Sequence, residues 1–432
     1  MGHPPERAPE PEPSTASGAL ARRLTLADAV VIGLGSMIGA GVFSAFAPAA
    51  ATAGAGLLVG LVIAGFVAFC NATSSAQLAA QYPTSGGSYV YGRERLGPWP
   101  GFLAGWSFVV GKTASSAAMA LTFAAYAVPD AWATPVAILA VVALTVVNAL
   151  GVTRTAAVAR VLVAIALVAL AVAVAIGFAG AGGAASPSPG VEATPYGVLQ
   201  SAGLLFFAFA GYARIATMGE EVRDPARTIP RAIVTALLIV LTVYALVAVS
   251  ALGALGAGGL AASAAPLADV AATSGAAWPG VVVRIGAAAA ALGALLAMIA
   301  GVGRTTLAMA RTRDLPRWLA AVHPRSRVPH RAELALGAVV CVLVATTDLR
   351  GAIGFSSFGV LLYYLVANAA ALTQDAAHRR YPRALAVAGV VGCVALVATL
   401  PPESIVAGVV VIAVGAGYRA IRLRRAPDAG AA

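Results

Sequence analysis

The sequence predicts an all-α polytopic membrane protein of twelve transmembrane helices, and three observations carry that prediction. Sixty per cent of its 432 residues are apolar and only 10% are charged, with mean hydropathy +0.88, outside the range of water-soluble domains. Apolar runs of about 20 residues, each long enough to cross a bilayer as a helix, recur along the whole chain. The basic residues fall between these runs. A β-barrel is excluded, because its strands would alternate in polarity over short segments. The formal net charge of +11 would suggest nucleic acid in a soluble protein. Here it is better explained as loop arginine that orients the helices, so the lipid bilayer is the expected partner and nucleic acid is not.

In order, the runs cover roughly residues 27–50, 56–79, 100–127, 132–150, 158–179, 196–218, 231–254, 281–303, 333–347, 353–373, 384–400 and 404–421. The ninth and eleventh are short. Residues 1–23 are rich in proline and polar residues and lack an apolar signal core, so they read as a disordered cytoplasmic tail. Residues 422–432 read as a second cytoplasmic tail. An even number of spans puts both ends on one side. With the ends inside, the inner connections carry arginine clusters such as Arg223, Arg227 and Arg231, or Arg311, Arg313 and Arg317. The outer connections hold Asp130, Glu192, Asp269, Asp348 and Glu403, with Arg350 alone out of place. That bias predicts a multi-pass protein of the plasma membrane with cytoplasmic termini.

Two of the runs are interrupted. Three glycines and a serine fall within Gly35-Ser36-Met37-Ile38-Gly39-Ala40-Gly41, poor material for the centre of a membrane helix. One use of such a stretch is a deliberate break, which frees backbone groups that hydrocarbon tolerates only where they line a cavity or grip a ligand. The other is close approach of a neighbouring helix. The sixth run repeats the pattern at Phe209-Ala210-Gly211-Tyr212-Ala213-Arg214. Interruptions in the first and sixth runs suggest two five-helix repeats of opposite topology, with the transport site between them. The repeats would span residues 24–180 and 195–375, and helices eleven and twelve (376–421) would be an appendage.

Lys112 is the only lysine of the chain and lies inside the third run. A charge at a helix centre costs roughly 2.5–3.5 kcal/mol on insertion scales, so a functional role is the default reading. Lysine also loses its proton more readily than arginine when desolvated. Lys112 is therefore the candidate ion-coupling group, or a fixed cation where other carriers bind sodium. The alternative is that it snorkels to the interface from a helix end. Arg214, Glu220 and Glu221 follow the second interruption and are candidate gating residues, with ordinary interfacial charge as the alternative. Cys70, Cys341 and Cys393 lie in apolar runs and read as core residues. The four histidines fall in the tail and connections, and no cluster has catalytic or metal-ligand spacing. Neither an enzyme nor a cofactor is expected, and the lack of a GxxxxGK[ST] motif leaves ATP-driven transport unsupported.

Four segments together are specific. They are Gly35 to Phe43; Tyr82-Pro83-Thr84-Ser85-Gly86-Gly87-Ser88-Tyr89 with Gly97-Pro98 and Gly105-Trp106; Phe206 to Phe209 with Glu220-Glu221-Val222-Arg223-Asp224-Pro225 and Ile229-Pro230-Arg231-Ala232; and Arg304 with Ala308-Met309-Ala310-Arg311, Leu315-Pro316, His323-Pro324 and Pro329-His330-Arg331. In this order the chain, from about Leu26 to Leu372, resembles the amino acid–polyamine–organocation (APC) superfamily of permeases. The resemblance implies secondary transport by alternating access. It places the substrate carboxylate on backbone amides of Ser36, Met37, Ile38, Gly39, Ala40 and Gly41. The substrate ammonium would meet carbonyls near Phe209, Ala210, Gly211 and Tyr212. Opposed half-helix ends supply those partial charges without burying an ion, in agreement. Some proton-coupled members carry a lysine on the fifth helix, near the position aligned with Ala166, and this chain lacks it. The expected cargo is a neutral amino acid, because Arg214 near the site disfavours cations. Protons are the expected coupling ion and sodium the alternative. An exchanger or facilitator of the same fold, and an amino acid sensor without flux, are the rival readings.

Overall fold

The computed structural model describes residues 24–82, 86–151, 156–180, 191–216, 218 and 221–425. The described residues are almost wholly helical. The helices are α1 (Leu26–Met37), α2 (Ala40–Ser44), α3 (Phe46–Ala53), α4 (Leu57–Gln81), α5 (Ser88–Leu96), α6 (Pro98–Ala127), α7 (Asp130–Ala149), α8 (Ala156–Gly180) and α9 (Pro195–Phe209). They continue as α10 (Ala213–Ala216), α11 (Pro225–Ala262), α12 (Pro266–Ala272), α13 (Ala277–Arg311), α14 (His330–Thr346), α15 (Leu349–Leu372), α16 (Arg383–Thr399) and α17 (Pro402–Arg425).

Among the described residues, ten helical segments are long and apolar enough to cross a membrane. The short ninth and eleventh runs fall on α14 and α16, each 17 residues long. Large apolar side chains such as Leu139 and Val142 on α7, Val391 and Val394 on α16, and Val406 and Val410 on α17 lie exposed on the outside. A soluble protein would not leave such surface bare; a bilayer covers it. The chain is a multi-pass membrane protein.

Local chemistry fixes the ends of the helices. Thr25 and Asp28 cap α1 reciprocally: Thr25 Oγ1 accepts from the Asp28 amide at 3.3 Å, and the Thr25 amide donates to Asp28 Oδ2 at 3.0 Å. Thr194 caps α9 by accepting from the Gly197 amide at 3.0 Å, with Pro195 preset for the first helical position. Asp348 caps α15 through the Gly351 amide at 2.8 Å. Pro48 cannot donate to Ser44, which accounts for the parting of α2 from α3 although Ala45 keeps helical angles.

The 30-residue α6 runs through the middle, packed against α13 and α15. It meets α15 backbone to backbone: a Cβ on Gly359 would stand 2.7 Å from Gly111 Cα, and one on Gly111 would stand 3.0 Å from Gly359 Cα. Without hydrophobic drive between helices in lipid, small residues supply that contact. Ser115 and Ser356 share a hydrogen bond at 2.6 Å beside it. At one end of the bundle the chain before α1 pairs with the chain after α10. The Leu24 amide donates to Glu221 O at 3.1 Å and the Arg223 amide to Leu24 O at 3.0 Å, a single parallel bridge between Leu24 and Val222.

Candidate functional site

The first run parts in the middle. α1 ends at Met37, Ile38 takes φ −78°, ψ 57°, Gly39 takes φ −106°, ψ −137°, and α2 starts at Ala40 with no side chain capping it. The orphan groups of a helix end need partners. The Met37 carbonyl has one in Tyr244 of α11, whose hydroxyl lies 2.6 Å away. Both readings of the glycines hold at once. The chain breaks at Gly39, and each glycine also faces a different neighbour. A Cβ would meet Val163 of α8 from Gly35 at 2.7 Å, Ala294 of α13 from Gly39 at 2.9 Å, and the Ala208 backbone of α9 from Gly41 at 2.6 Å.

The sixth run behaves differently. α9 does not part but tightens into a 3-10 turn over Ala210–Tyr212, followed by the single turn of α10. Tightening takes carbonyls out of the α-helical ladder, and side chains from three other helices take them up. Lys112 Nζ of α6 donates to Ala210 O at 3.3 Å, and the Tyr364 hydroxyl of α15 points at the same oxygen at 3.4 Å. The Tyr244 hydroxyl lies 3.0 Å from Ala208 O, so its one proton is shared between the two interrupted segments. Gly211 brings those segments together, since a Cβ there would fall on the Ser36 carbonyl and the Met37 amide.

Met37, Ile38, Gly39, Ala40 and Gly41 are therefore brought face to face with Phe209, Ala210, Gly211 and Tyr212, and all nine are buried. Ser36 is half-buried on the same seam. Phe209 and Tyr212 turn to separate partners rather than to each other: Phe209 packs edge-on against Tyr244 at 5.1 Å, and Tyr212 stacks on Tyr364 at 4.9 Å. Lys112 does not snorkel. It is 4% exposed, stands at the tight α6–α15 crossing next to Gly111, and its ammonium points inward at the Ala210 carbonyl. Ala166, the position aligned with a fifth-helix lysine, is buried on α8, the helix whose Val163 faces Gly35.

Of the candidate gating residues, Arg214 and Glu221 approach to 3.9 Å, both partly exposed. Glu220 lies outside the described residues. Sequence reasoning missed Tyr244 and Tyr364, the two hydroxyls that hold the freed carbonyls. The signal was available: a tyrosine in an otherwise aliphatic run, single as at Tyr244 or paired as at Tyr363-Tyr364, must find a buried partner for its hydroxyl.

A second polar cluster lies at the end of the bundle that carries α5. Asp314, after α13, is ion-paired with Arg93 of α5 at 2.9 Å and with Arg419 of α17, and accepts from the Tyr89 hydroxyl at 2.8 Å. Burial pushes the Tyr89 phenol above its ordinary range, which keeps it a neutral donor. Arg419 also covers the rings of Trp99 and Phe102 at 5.1 and 4.8 Å.

Comparison with known proteins agrees with this architecture. Residues 28–420 match the family model described as amino acid permease. The chain is similar to a transporter of Mycobacterium tuberculosis that is described as uncharacterized, with 61% identity over 94% of this chain and 93% of that protein. It is similar to the chloroplastic cationic amino acid transporter 7 of Arabidopsis thaliana, at 30% identity over 81% of this chain and 65% of that one. It is also similar to the branched-chain amino acid permease BcaP of Bacillus subtilis, at 25% identity over 86% and 84%. The chain belongs to the amino acid permease family of the APC superfamily, a family of membrane transporters.

Proposed function

We propose that this transporter moves a neutral amino acid across the plasma membrane by alternating access, as a secondary active carrier coupled to protons. In this reading α1 to α8 form one five-helix repeat and α9 to α15 an inverted second one, with α16 and α17 appended and both termini cytoplasmic. The observation that carries it is the seam between the two interrupted segments, where Gly41 abuts Ala208 and Gly211 abuts Ser36. An α-amino acid is a zwitterion, and a membrane interior holds one only where both charges meet polar groups. In this reading the start of α2 offers the amides of Gly39, Ala40 and Gly41 to the carboxylate, whereas Ser36 and Met37 lie in the last turn of α1 and the Ile38 amide is spent on Leu34 O at 2.6 Å. The ammonium takes carbonyls of the tightened turn at Phe209 to Tyr212 as the Lys112, Tyr364 and Tyr244 donors give way.

Lys112 supports the choice of a neutral cargo and of the coupling residue. Its ammonium already lies on Ala210 O, so a cationic side chain brought to this seam would face a like charge. Cationic and branched-chain substrates both occur in the names of relatives, and the lysine favours the second kind. A lysine that meets a backbone carbonyl and, among the described residues, no carboxylate can give up its proton without stranding a counter-ion. In this reading Arg214 and Glu221, which approach to 3.9 Å, close the end of the path near the Leu24–Val222 bridge.

Uptake of a labelled amino acid panel into proteoliposomes, with and without an inward proton gradient, tests the reading. Gradient-driven accumulation of a neutral amino acid supports it. Accumulation of arginine or lysine alone overturns the substrate class. Binding with no flux under any gradient favours a sensor.

A further inference from the structure

Where the apolar face of α17 ends, a recess of about 290 Å³ opens between this helix and the chain following α13, lined by Arg313, Leu315, Pro316, Arg317, Tyr418 and Arg422. No carboxylate lines it. Asp314, next in sequence to Arg313, is buried and taken by Arg93 and Arg419. Among the described residues, Arg313, Arg317 and Arg422 form no ion pair. Three like charges that converge without a counter-ion repel one another until an anion joins them. Guanidinium groups suit phosphate in particular, because their paired donors match its oxygens.

The backbone carries a side chain here against its own preference. Arg313 has φ 63° and occupies the left-handed position that closes α13, with the Arg313 amide donating to Ala310 O at 3.2 Å and the Asp314 amide to Met309 O at 2.7 Å. Glycine usually fills such a position, and this chain keeps an arginine.

The surroundings say what kind of phosphate. Val410, Val414, Tyr418 and Arg422 are spaced four apart, so they lie along one face of α17. Val410 and Val414 are 54% and 62% exposed, a stripe for acyl chain that runs into the tyrosine and arginine of the recess. Trp318 and Leu423, beside Arg317 and Arg422, are also exposed, and an exposed indole next to arginine marks the membrane–water boundary. We propose that this recess binds the phosphate of an anionic lipid headgroup, whose acyl chains lie along Val414 and Val410. Clustered arginine beside the end of a transmembrane helix, at a membrane face, is a recurrent way to hold such lipids. The site is separate from the seam between α1 and α9.

The test uses the purified full-length chain in detergent, titrated with phosphatidylglycerol or with phosphatidylcholine, and native mass spectrometry to count retained lipid. Wild type is expected to retain phosphatidylglycerol with a preference of at least about tenfold. The triple variant Arg313→Gln, Arg317→Gln, Arg422→Gln is expected to lose that preference. A control with equal charge loss, Arg325→Gln, Arg327→Gln, Arg331→Gln, is expected to keep it. The single variant Arg317→Glu, at an exposed position, gives the same answer if the triple does not fold. Equal retention in wild type and the triple overturns the proposal, and so does equal loss in both triples, which would mean diffuse charge. Displacement of phosphatidylglycerol by millimolar inorganic phosphate also overturns it, because a free-anion site would then be the better description.

Discussion

Lys112 Nζ lies 3.3 Å from the Ala210 carbonyl oxygen, 98 positions along the chain. The contact joins the one lysine of the sequence to the turn where α9 tightens, and the chain places a charge there in the middle of α6, where that helix crosses α15. Replacing a buried charge by an apolar side chain of similar shape is often neutral or stabilising. Lys112→Met should therefore fold and melt within a few degrees of wild type, while uptake falls at least about tenfold, roughly the 1.4 kcal/mol that defines such a factor. Thermal unfolding in detergent beside initial uptake rates checks this. A large loss of stability with uptake per folded molecule unchanged would make Lys112 structural.

Gly211 has no room to grow. Its Cβ would land on the Ser36 carbonyl and the Met37 amide, backbone groups that cannot swing aside as a side chain could. Gly211→Ala should cost about 1–3 kcal/mol of stability, the range for overpacking, and should depress uptake more than Gly280→Ala on α13, where a Cβ meets no atom within 4 Å. Comparable uptake in the two variants would contradict the close seam.

Tyr244 shares one proton between Met37 O at 2.6 Å and Ala208 O at 3.0 Å. Tyr244→Phe keeps the ring against Phe209 and removes the donor, leaving buried carbonyls short of a partner at about 1–3 kcal/mol. The expected outcome is a lower melting temperature. A melting temperature equal to wild type would show that the hydroxyl does not hold the two segments together.

Asp314 sits under two guanidinium groups, and its own removal should be the worse change. Asp314→Asn leaves Arg419, whose side chain is 7% exposed, without its partner, and breaking a buried pair costs about 3–5 kcal/mol. Arg419→Gln leaves Asp314 with Arg93 and Tyr89 and should cost less. Melting temperatures of the two variants give the order, and the reverse order would contradict the assignment of Asp314 as the hub.

Much of this was legible before any coordinates. Helix positions follow from apolar run length, because a bilayer gives an extended polar backbone nowhere to go. The interruption at Gly39 and the burial of Lys112 were readable for the same reason, since glycine and charge are conspicuous in hydrocarbon. The sixth run was legible only in part. A turn that tightens instead of parting leaves Ala210 and Ala213 with near-helical angles, and nothing in Ala-Gly-Tyr distinguishes the two. Tyr244 and Tyr364 stayed hidden because their role depends on which helices lie side by side, which run length does not encode. The Arg313, Arg317 and Arg422 recess was invisible for a related reason: Arg422 is distant in sequence and joins the others only through the packing of α17.

The most direct test of the central claim is accumulation of a neutral amino acid in proteoliposomes under an inward proton gradient, wild type against Lys112→Ala. Wild type is expected to accumulate substrate above equilibrium. Lys112→Ala is expected to bind and exchange substrate but no longer to accumulate it with the gradient. Normal gradient-driven accumulation by Lys112→Ala would remove Lys112 from coupling, which would then have to reside elsewhere on the seam between α1 and α9.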